Sequence, residues 1–289
     1  MSKFLSNDQI REYEQDGVVF PMQVLTQQEV ATARDALETL KTALGKQADS
    51  QRFRNLHFFH PWAMELATHS RVLDAVEDVI GPDILVHGTG LFWKLPRDPG
   101  YVPWHQDGYN AKLSEQYVTA WVALTDSSVD NGCLRVVRGS HCRGISPHEL
   151  TAVSPDNIGT GGLEIAREVE ESEATDVILT PGEMSLHHVA MIHGSNANTS
   201  DRPRIGYAVR YVPPSTRQKL DHHPVILARG HDPFGHFRRL EEPPSLSLQD
   251  AIDAQQELMK WSAVRTIDNP VPLPANTRLR WREPGSPAS

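Results

Sequence analysis

Apolar residues recur at helical spacing in only a few stretches of this chain. From Thr26, the run TQQEVATARDALETLKTAL sets Val30, Ala33, Leu37, Leu40 and Leu44 three or four residues apart, the stripe of an amphipathic helix. Thr26 is its expected cap, and Glu29 completes a capping box. Residues 7–16 (NDQIREYEQD) predict a shorter helix capped by Asn7 or Asp8 and closed by Gly17, followed by an apolar strand, VVFPMQVL. Segments 61–68 and 70–80 predict two more helices, the second ending at Gly81. Helical spacing then disappears until about residue 247.

What lies between alternates or runs apolar over short distances. Segments 83–95, 101–106, 117–125, 133–138, 177–179, 183–192 and 204–212 predict strands, divided by PRDPG, DNG, GSH and PGE turns. Strands in that number with helices outside predict a mainly β fold with flanking helices, an antiparallel barrel or jelly roll. The stretch from Gly144 to Asp176, with GTGG and the acidic LEIAREVEESEATD, is too long for a turn. It reads as a lid-like insertion or as a solvated excursion. The Pro-rich tail after Val264 is expected to be extended or partly disordered. A single domain over 1–289 is therefore expected: N-terminal helices in 1–81, a jelly-roll core in 82–213 interrupted by 144–176, and a C-terminal helix and extended tail in 214–289.

Composition removes several function classes. A chain of 289 residues that is 39% hydrophobic can bury a sizeable core, which excludes disorder. The net charge of −9 comes without a basic stripe, so no nucleic acid is expected as a partner. No run approaches the roughly 18 apolar residues of a membrane span, and no signal segment is visible, so no membrane is expected either. Cys133 and Cys142 are too few for a disulfide framework or a thiolate metal site, and they suggest reduced thiols in a cytoplasm. The 14 histidines are where chemistry is to be sought.

His105-Gln106-Asp107, in YVPWHQDGYN, is a His with an acid two residues on. At a strand end, residues i and i+2 face the same way, so both could reach one ion. His193, in MIHGSNANTSDRPRIGYAVRY, offers a third ligand. Two His and a carboxylate make a facial triad, which favours non-haem Fe(II) and leaves three coordination positions open. Arg204 starts a strand whose alternation sends Arg204, Gly206, Ala208 and Arg210 to one face, and Ile205, Tyr207, Val209 and Tyr211 to the other. Small Gly206 and Ala208 beside a buried Arg make room for an anion, and a guanidinium can hold a carboxylate through two parallel hydrogen bonds. Ser195, on the face of His193, could donate another hydrogen bond.

The chain resembles the phytanoyl-CoA dioxygenase-like (PhyH) branch of the Fe(II)/2-oxoglutarate oxygenases from about Asn7 to Val212. The likeness is strongest through WHQDGYN, AWVALTDSSVDNGCLRVVRGSH and HGSNANTSDRPRIGYAVRY. It implies a double-stranded β-helix (a cupin-like jelly roll), Fe(II) on His105, Asp107 and His193, and the distal carboxylate of 2-oxoglutarate on Arg204 with Ser195. It also implies that Trp121 lines the cosubstrate pocket and that Gln106 approaches the cosubstrate. Relatives that halogenate carry Ala or Gly at the carboxylate position. Asp107 therefore favours hydroxylation of an unactivated C–H bond of a small metabolite, with O2 consumed and 2-oxoglutarate converted to succinate and CO2.

Other readings of the same residues remain. A cupin-type dioxygenase or isomerase that uses a metal without 2-oxoglutarate is opposed by Arg204 and Ser195, and a catalytically silent β-barrel binding module by the intact triad. Zinc on the same three ligands is a further alternative, as is an ordinary salt bridge from Arg204 to Asp201 or another acid. His187 and His188, adjacent on a strand, must face opposite ways and read as structural. His141 is expected to stabilise a turn, and His222-His223 to lie in an exposed loop. Candidate substrate contacts are Tyr109 and Asn110, which follow the metal motif, and Lys94 and Arg210, which could meet an acidic or zwitterionic substrate.

Overall fold

The computed structural model describes residues 2–45, 53–111, 117–151, 154–159, 163–217, 223–241, 245–264 and 281–285. Its helices are α1 (Asn7–Asp16), α2 (Gln27–Leu44), α3 (Pro61–Ala67), α4 (Ser70–Ile80), α5 (Asp107–Ala111) and α6 (Leu248–Val264). The strands of the first half are β1 (Val18–Gln23), β2 (Ile84–Lys94), β3 (Val102–His105), β4 (Val118–Ala123), β5 (Leu134–Val137), β6 (His148–Leu150) and β7 (Leu163–Ile165). Those of the second are β8 (Ala174–Val177), β9 (Glu183–His188), β10 (His193–Ser195), β11 (Arg204–Val212), β12 (Pro224–Arg229), β13 (Arg238–Leu240) and β14 (Trp281–Arg282).

A large sheet runs β1-β9-β4-β11-β2-β12-β13-β14 and a small one β3-β10-β5-β8, with β6 and β7 forming a separate hairpin. This is the jelly roll expected from the strand count. The large sheet also draws in strands from outside 82–213, namely β1 and β12 to β14. Among the described residues no helix is long and apolar enough to cross a membrane.

The first two helices begin where their caps dictate. Thr26 and Glu29 make the expected reciprocal box on α2, with Glu29 N donating to Thr26 Oγ1 (3.2 Å) and Thr26 N to Glu29 Oε2 (2.7 Å). On α1 the cap is Ser6 rather than Asn7 or Asp8. Ser6 exchanges hydrogen bonds with Gln9, while Asp8 pairs with Arg11. Val30, Ala33, Leu37 and Leu40 of α2, with Val72 and Val76 of α4, pack on the outer face of the large sheet.

That outer face is the Ile205, Tyr207, Val209 and Tyr211 side of β11. Tyr207 and Tyr211 reach through the apolar layer to α3, donating to the carbonyls of Ala63 (3.0 Å) and Ala67 (2.9 Å). Ala67 ends its helix, so its carbonyl has no intrahelical donor. A second core, with Trp121, Ala123, Leu134, Val136, Val177, Met191 and Ala208, lies between the sheets.

Several expectations change. The stretch 183–192 is not one strand. β9 pairs with β1 and β4 in the large sheet and β10 with β3 and β5 in the small one, so the chain must cross between layers through Val189–Ile192. The strand expected at 177–179 is β8, shifted to Ala174–Val177 by its pairing with β5. The 144–176 stretch holds the β6–β7 hairpin and β8. His223 is not an exposed loop residue: its ring stacks on His87 at 4.0 Å, and its Nε2 meets the His87 carbonyl at 2.8 Å. His222 and most of the tail after Val264 lie outside the described residues; within the tail, β14 pairs with β13.

Tyr211→Phe deletes the buried donor to the Ala67 carbonyl and is expected to lower stability by about 1–2 kcal/mol. Chemical denaturation checks this, and metal content should be unchanged.

Candidate metal centre

Antiparallel register organises the inner face of the large sheet into rows. Gly88, Arg210, Thr119 and His187 lie directly across from one another on β2, β11, β4 and β9. The next row is Gly90, Ala208, Trp121 and Ser185, then Phe92, Gly206 and Ala123, then Lys94 and Arg204. Residues in one row share a face, so the rows form a floor along which a ligand could lie.

The small sheet brings histidines to the first row. His193, opening β10, is the direct register partner of His105 at the end of β3. Ligand atoms of His105, Asp107 and His193 all lie within 4.8 Å of one another. His105 Nδ1 is 2.9 Å from the Pro103 carbonyl, and His193 Nδ1 is 2.9 Å from that of Met191. Tying each Nδ1–H to a carbonyl leaves Nε2 as the lone-pair nitrogen, the form a metal needs. Burial pushes the His105 imidazole down to about 3 and that of His193 down to about 4, so both stay neutral.

Asp107 reaches the centre by a route that strand alternation does not supply. β3 stops at His105, and Asp107 opens α5. Between them the buried Gln106 amide sets the turn: Nε2 donates to the carbonyls of Gly144 (2.9 Å) and Ala190 (2.6 Å), and Oε1 accepts from Ser146 N (2.7 Å). With both N–H groups spent on backbone, Gln106 staples the metal motif to the insertion instead of approaching a cosubstrate. Burial alone would raise the Asp107 carboxyl, but the Arg210 guanidinium beside it overcomes this and holds the group ionised. Arg210 donates to it from Nε (3.2 Å) and Nη2 (3.4 Å), and Thr119 Oγ1 lies 3.4 Å away. Arg210 is thus the counter-charge of Asp107.

The far row is cationic. Arg204, 3% exposed, holds its guanidinium carbon 5.4 Å from the centre of the Trp121 ring. Gly206 has to be glycine here, because a Cβ would fall inside that ring. Lys94, fully buried and paired in register with Arg204, donates to Ser195 Oγ (2.8 Å) and to the Asn196 carbonyl. Burial, with Arg204 adding to it, pushes the Lys94 amine down to about 6, and burial pushes Arg204 down to about 10. Lys94 therefore belongs with Arg204 and Ser195. Arg204 Nε has no hydrogen-bond partner among the described residues. Two buried cations with an orphaned donor suit an incoming carboxylate.

Of the remaining candidates, Tyr109 on α5 stacks on His148 at 4.2 Å, while the side chain of Asn110 lies outside the described residues. His141 sits half-buried in the 3-10 turn Ser140–Arg143, with Nε2 3.2 Å from the Glu14 carbonyl. His188 points outward, its Nδ1 accepting from Ala190 N at 3.0 Å. His187 points inward toward the metal ligands, which sequence reasoning missed. Alternation separates two adjacent histidines but does not say which face meets the metal.

The sequence matches the Phytanoyl-CoA dioxygenase (PhyH) family over residues 13–206. Among curated proteins it is 23% identical to the dioxygenase lolE1 of Epichloe uncinata, over 68% of this chain and 69% of that one. Several other curated relatives are matched over about half of their own length. Among solved structures it is 30% identical to apo ThoJ, a non-heme monooxygenase, with a TM-score of 0.73 covering 87% of this chain and 100% of that one. It is also 25% identical to SnoK, a non-heme alpha ketoglutarate dependent carbocyclase from nogalamycin biosynthesis (TM-score 0.60; 74% of this chain, 86% of that one). Fold, site and relatives together define a non-haem oxygenase of small molecules that uses Fe(II), 2-oxoglutarate and O2. The chain belongs to the phytanoyl-CoA dioxygenase (PhyH) family.

His193→Ala is expected to abolish iron retention, measured by metal analysis after anaerobic loading. Gln106→Leu should leave the fold intact but weaken iron binding about 10–100-fold, because Asp107 loses its anchored turn.

Proposed function

We propose that this protein hydroxylates an unactivated C–H bond of a small metabolite, coupled to decarboxylation of 2-oxoglutarate to succinate and CO2. The observation that carries the reading is the pairing, on one inner face, of a His105, Asp107 and His193 triad with the anion cradle of Arg204, Lys94 and Ser195. A cupin-type enzyme working without 2-oxoglutarate has no use for that cradle, and a silent binding module has none for the triad. Fe(II) and 2-oxoglutarate, when bound, would together reduce O2 to the oxidant that removes hydrogen from the substrate.

The chain's own residues do the rest. His105, Asp107 and His193 hold the metal on one side and leave the other side to ligands. Arg210 and Thr119 keep Asp107 ionised and fixed. Arg204 and Lys94 take the distal carboxylate, while Ser195, which accepts from Lys94, still has its own hydroxyl proton to donate. Trp121 walls the space between, with the Arg204 guanidinium carbon 5.4 Å from its ring centre. Retention of a carboxylate at 107 supports hydroxylation over halogenation, since an added halide has no vacated ligand position to fill. The carbocyclase relative makes ring formation the competing outcome. Product mass spectrometry under 18-O2 separates the two, because hydroxylation adds one labelled oxygen and cyclisation removes two hydrogens without label.

The same reading makes 1–289 one working unit with the 144–176 insertion as a cover. The insertion is anchored at its base by Gln106 and by Tyr109 on His148, and it joins the small sheet where Tyr101 bridges Asn157. The free thiols of Cys133 and Cys142, and a net charge of −9 without a basic run in the sequence, support a cytoplasmic enzyme that binds neither nucleic acid nor membrane.

Arg204→Ala is expected to weaken 2-oxoglutarate at least about 100-fold with iron still bound, the loss expected for a charge-assisted bidentate contact. The metal-to-ligand absorption band of the anaerobic Fe(II) protein reports it, and unchanged affinity would sink the assignment. Limited proteolysis should cut within 144–176 readily in the apo protein and more slowly once iron, 2-oxoglutarate and substrate are bound. Equal cleavage would leave the insertion a static excursion.

A further inference from the structure

His187 faces the metal ligands from the large sheet without a role in anything described so far. It is 2% exposed, its ring centre lies 4.9 Å from that of His193, and neither Nδ1 nor Nε2 has a hydrogen-bond partner among the described residues. Burying an imidazole with both nitrogens unmet is costly, so a polar group is expected to meet it in the working protein. The rest of its row shows what is left for it to do. Gly88 has no side chain, while Arg210 and Thr119 are committed to Asp107.

Two more orphaned polar atoms lie along the same face. Ser185 Oγ, two residues back on β9 and directly across from Trp121, is buried without a partner among the described residues, and so is Arg204 Nε. From the metal ligands toward Arg204, the floor therefore presents unsatisfied groups at His187, Ser185 and Arg204. Gly88, Gly90, Gly206 and Ala208 put no long side chain of their own on that face, and the Trp121 ring lies over Gly206. A dicarboxylate lying along this floor offers acceptors at both ends, and a neutral imidazole has one N–H to give and one lone pair.

We propose that His187 is a cosubstrate-binding residue whose imidazole N–H donates to the metal-facing carboxylate of 2-oxoglutarate, at the opposite end from Arg204. This rests on the 2-oxoglutarate reading above. The contact is a charge-assisted hydrogen bond in a buried site, and it fixes the orientation of the chelating end while leaving the metal's three protein ligands as they are.

The test is anaerobic titration of the Fe(II) protein with 2-oxoglutarate, followed by the metal-to-ligand band, in the unmodified chain and in His187→Phe, His187→Asn and His187→Gln. His187→Leu replaces the Phe variant if that one does not fold. Iron content is expected to be equal in all of them. The Phe variant should bind 2-oxoglutarate about tenfold or more weakly with a shifted band, and one of the two amides, whichever sets its N–H where the ring nitrogen stood, should recover most of the loss. Unchanged affinity in the Phe variant overturns the proposal. Loss of iron in that variant overturns it in favour of a metal ligand, and failure of both amides overturns it in favour of packing alone. If the unmodified protein binds iron but gives no band with 2-oxoglutarate, it is the parent reading that falls.

Discussion

Asp107 carries its charge between two sheets, and the surroundings of the centre are arranged so that it stays ionised and in place. An isolated carboxylate there would take up a proton instead of remaining charged. Arg210 from β11 and Thr119 from β4 supply the counter-charge and a hydroxyl, so a ligand delivered by the small-sheet side is held by the large one. The Gln106 amide completes the arrangement by tying the turn before Asp107 to backbone at Gly144, Ser146 and Ala190. A buried polar network of this kind is stable only when every member is satisfied, which ties the metal motif, the start of the insertion and the crossover from β9 to β10 to one another.

β11 is the strand through which the two halves communicate. Its outer face is anchored to α3 by the Tyr207 and Tyr211 hydroxyls, and its inner face carries Arg204 and Arg210 at opposite ends with only Gly206 and Ala208 between. Moving the register by one residue would send both arginines into the apolar layer under the helices and both tyrosines into the cavity. Burial on both faces, with long side chains on each, leaves the strand one workable pairing. The helices outside the barrel thereby help to position charges inside it.

The two ends of the cavity solve opposite electrostatic problems. Around the metal ligands, histidines kept neutral by burial and one carboxylate matched by Arg210 leave little net charge before an ion arrives. At the far end Lys94 and Arg204 are buried side by side, each pushed toward its neutral form. An anion spanning the cavity relieves the second end while completing the first. That polarity suits a dicarboxylate cosubstrate, and it is built from strand registers.

Much of this was legible in the residues themselves. Capping chemistry and three-four spacing located α2 because those signals are local, and period-two alternation separated the two faces of β11 for the same reason. Ligand types and their order in the chain also pointed to His105, Asp107 and His193. Tertiary structure decided the rest. Alternation says which residues share a face but not what that face meets, so it could not tell that His187 turns toward the metal ligands or that Lys94 joins Arg204. Nor could it show that Gln106 spends its amide on backbone tens of residues away, or that the chain changes sheets between His188 and His193. Those outcomes depend on pairings between segments distant in sequence, and local propensity carries no information about them.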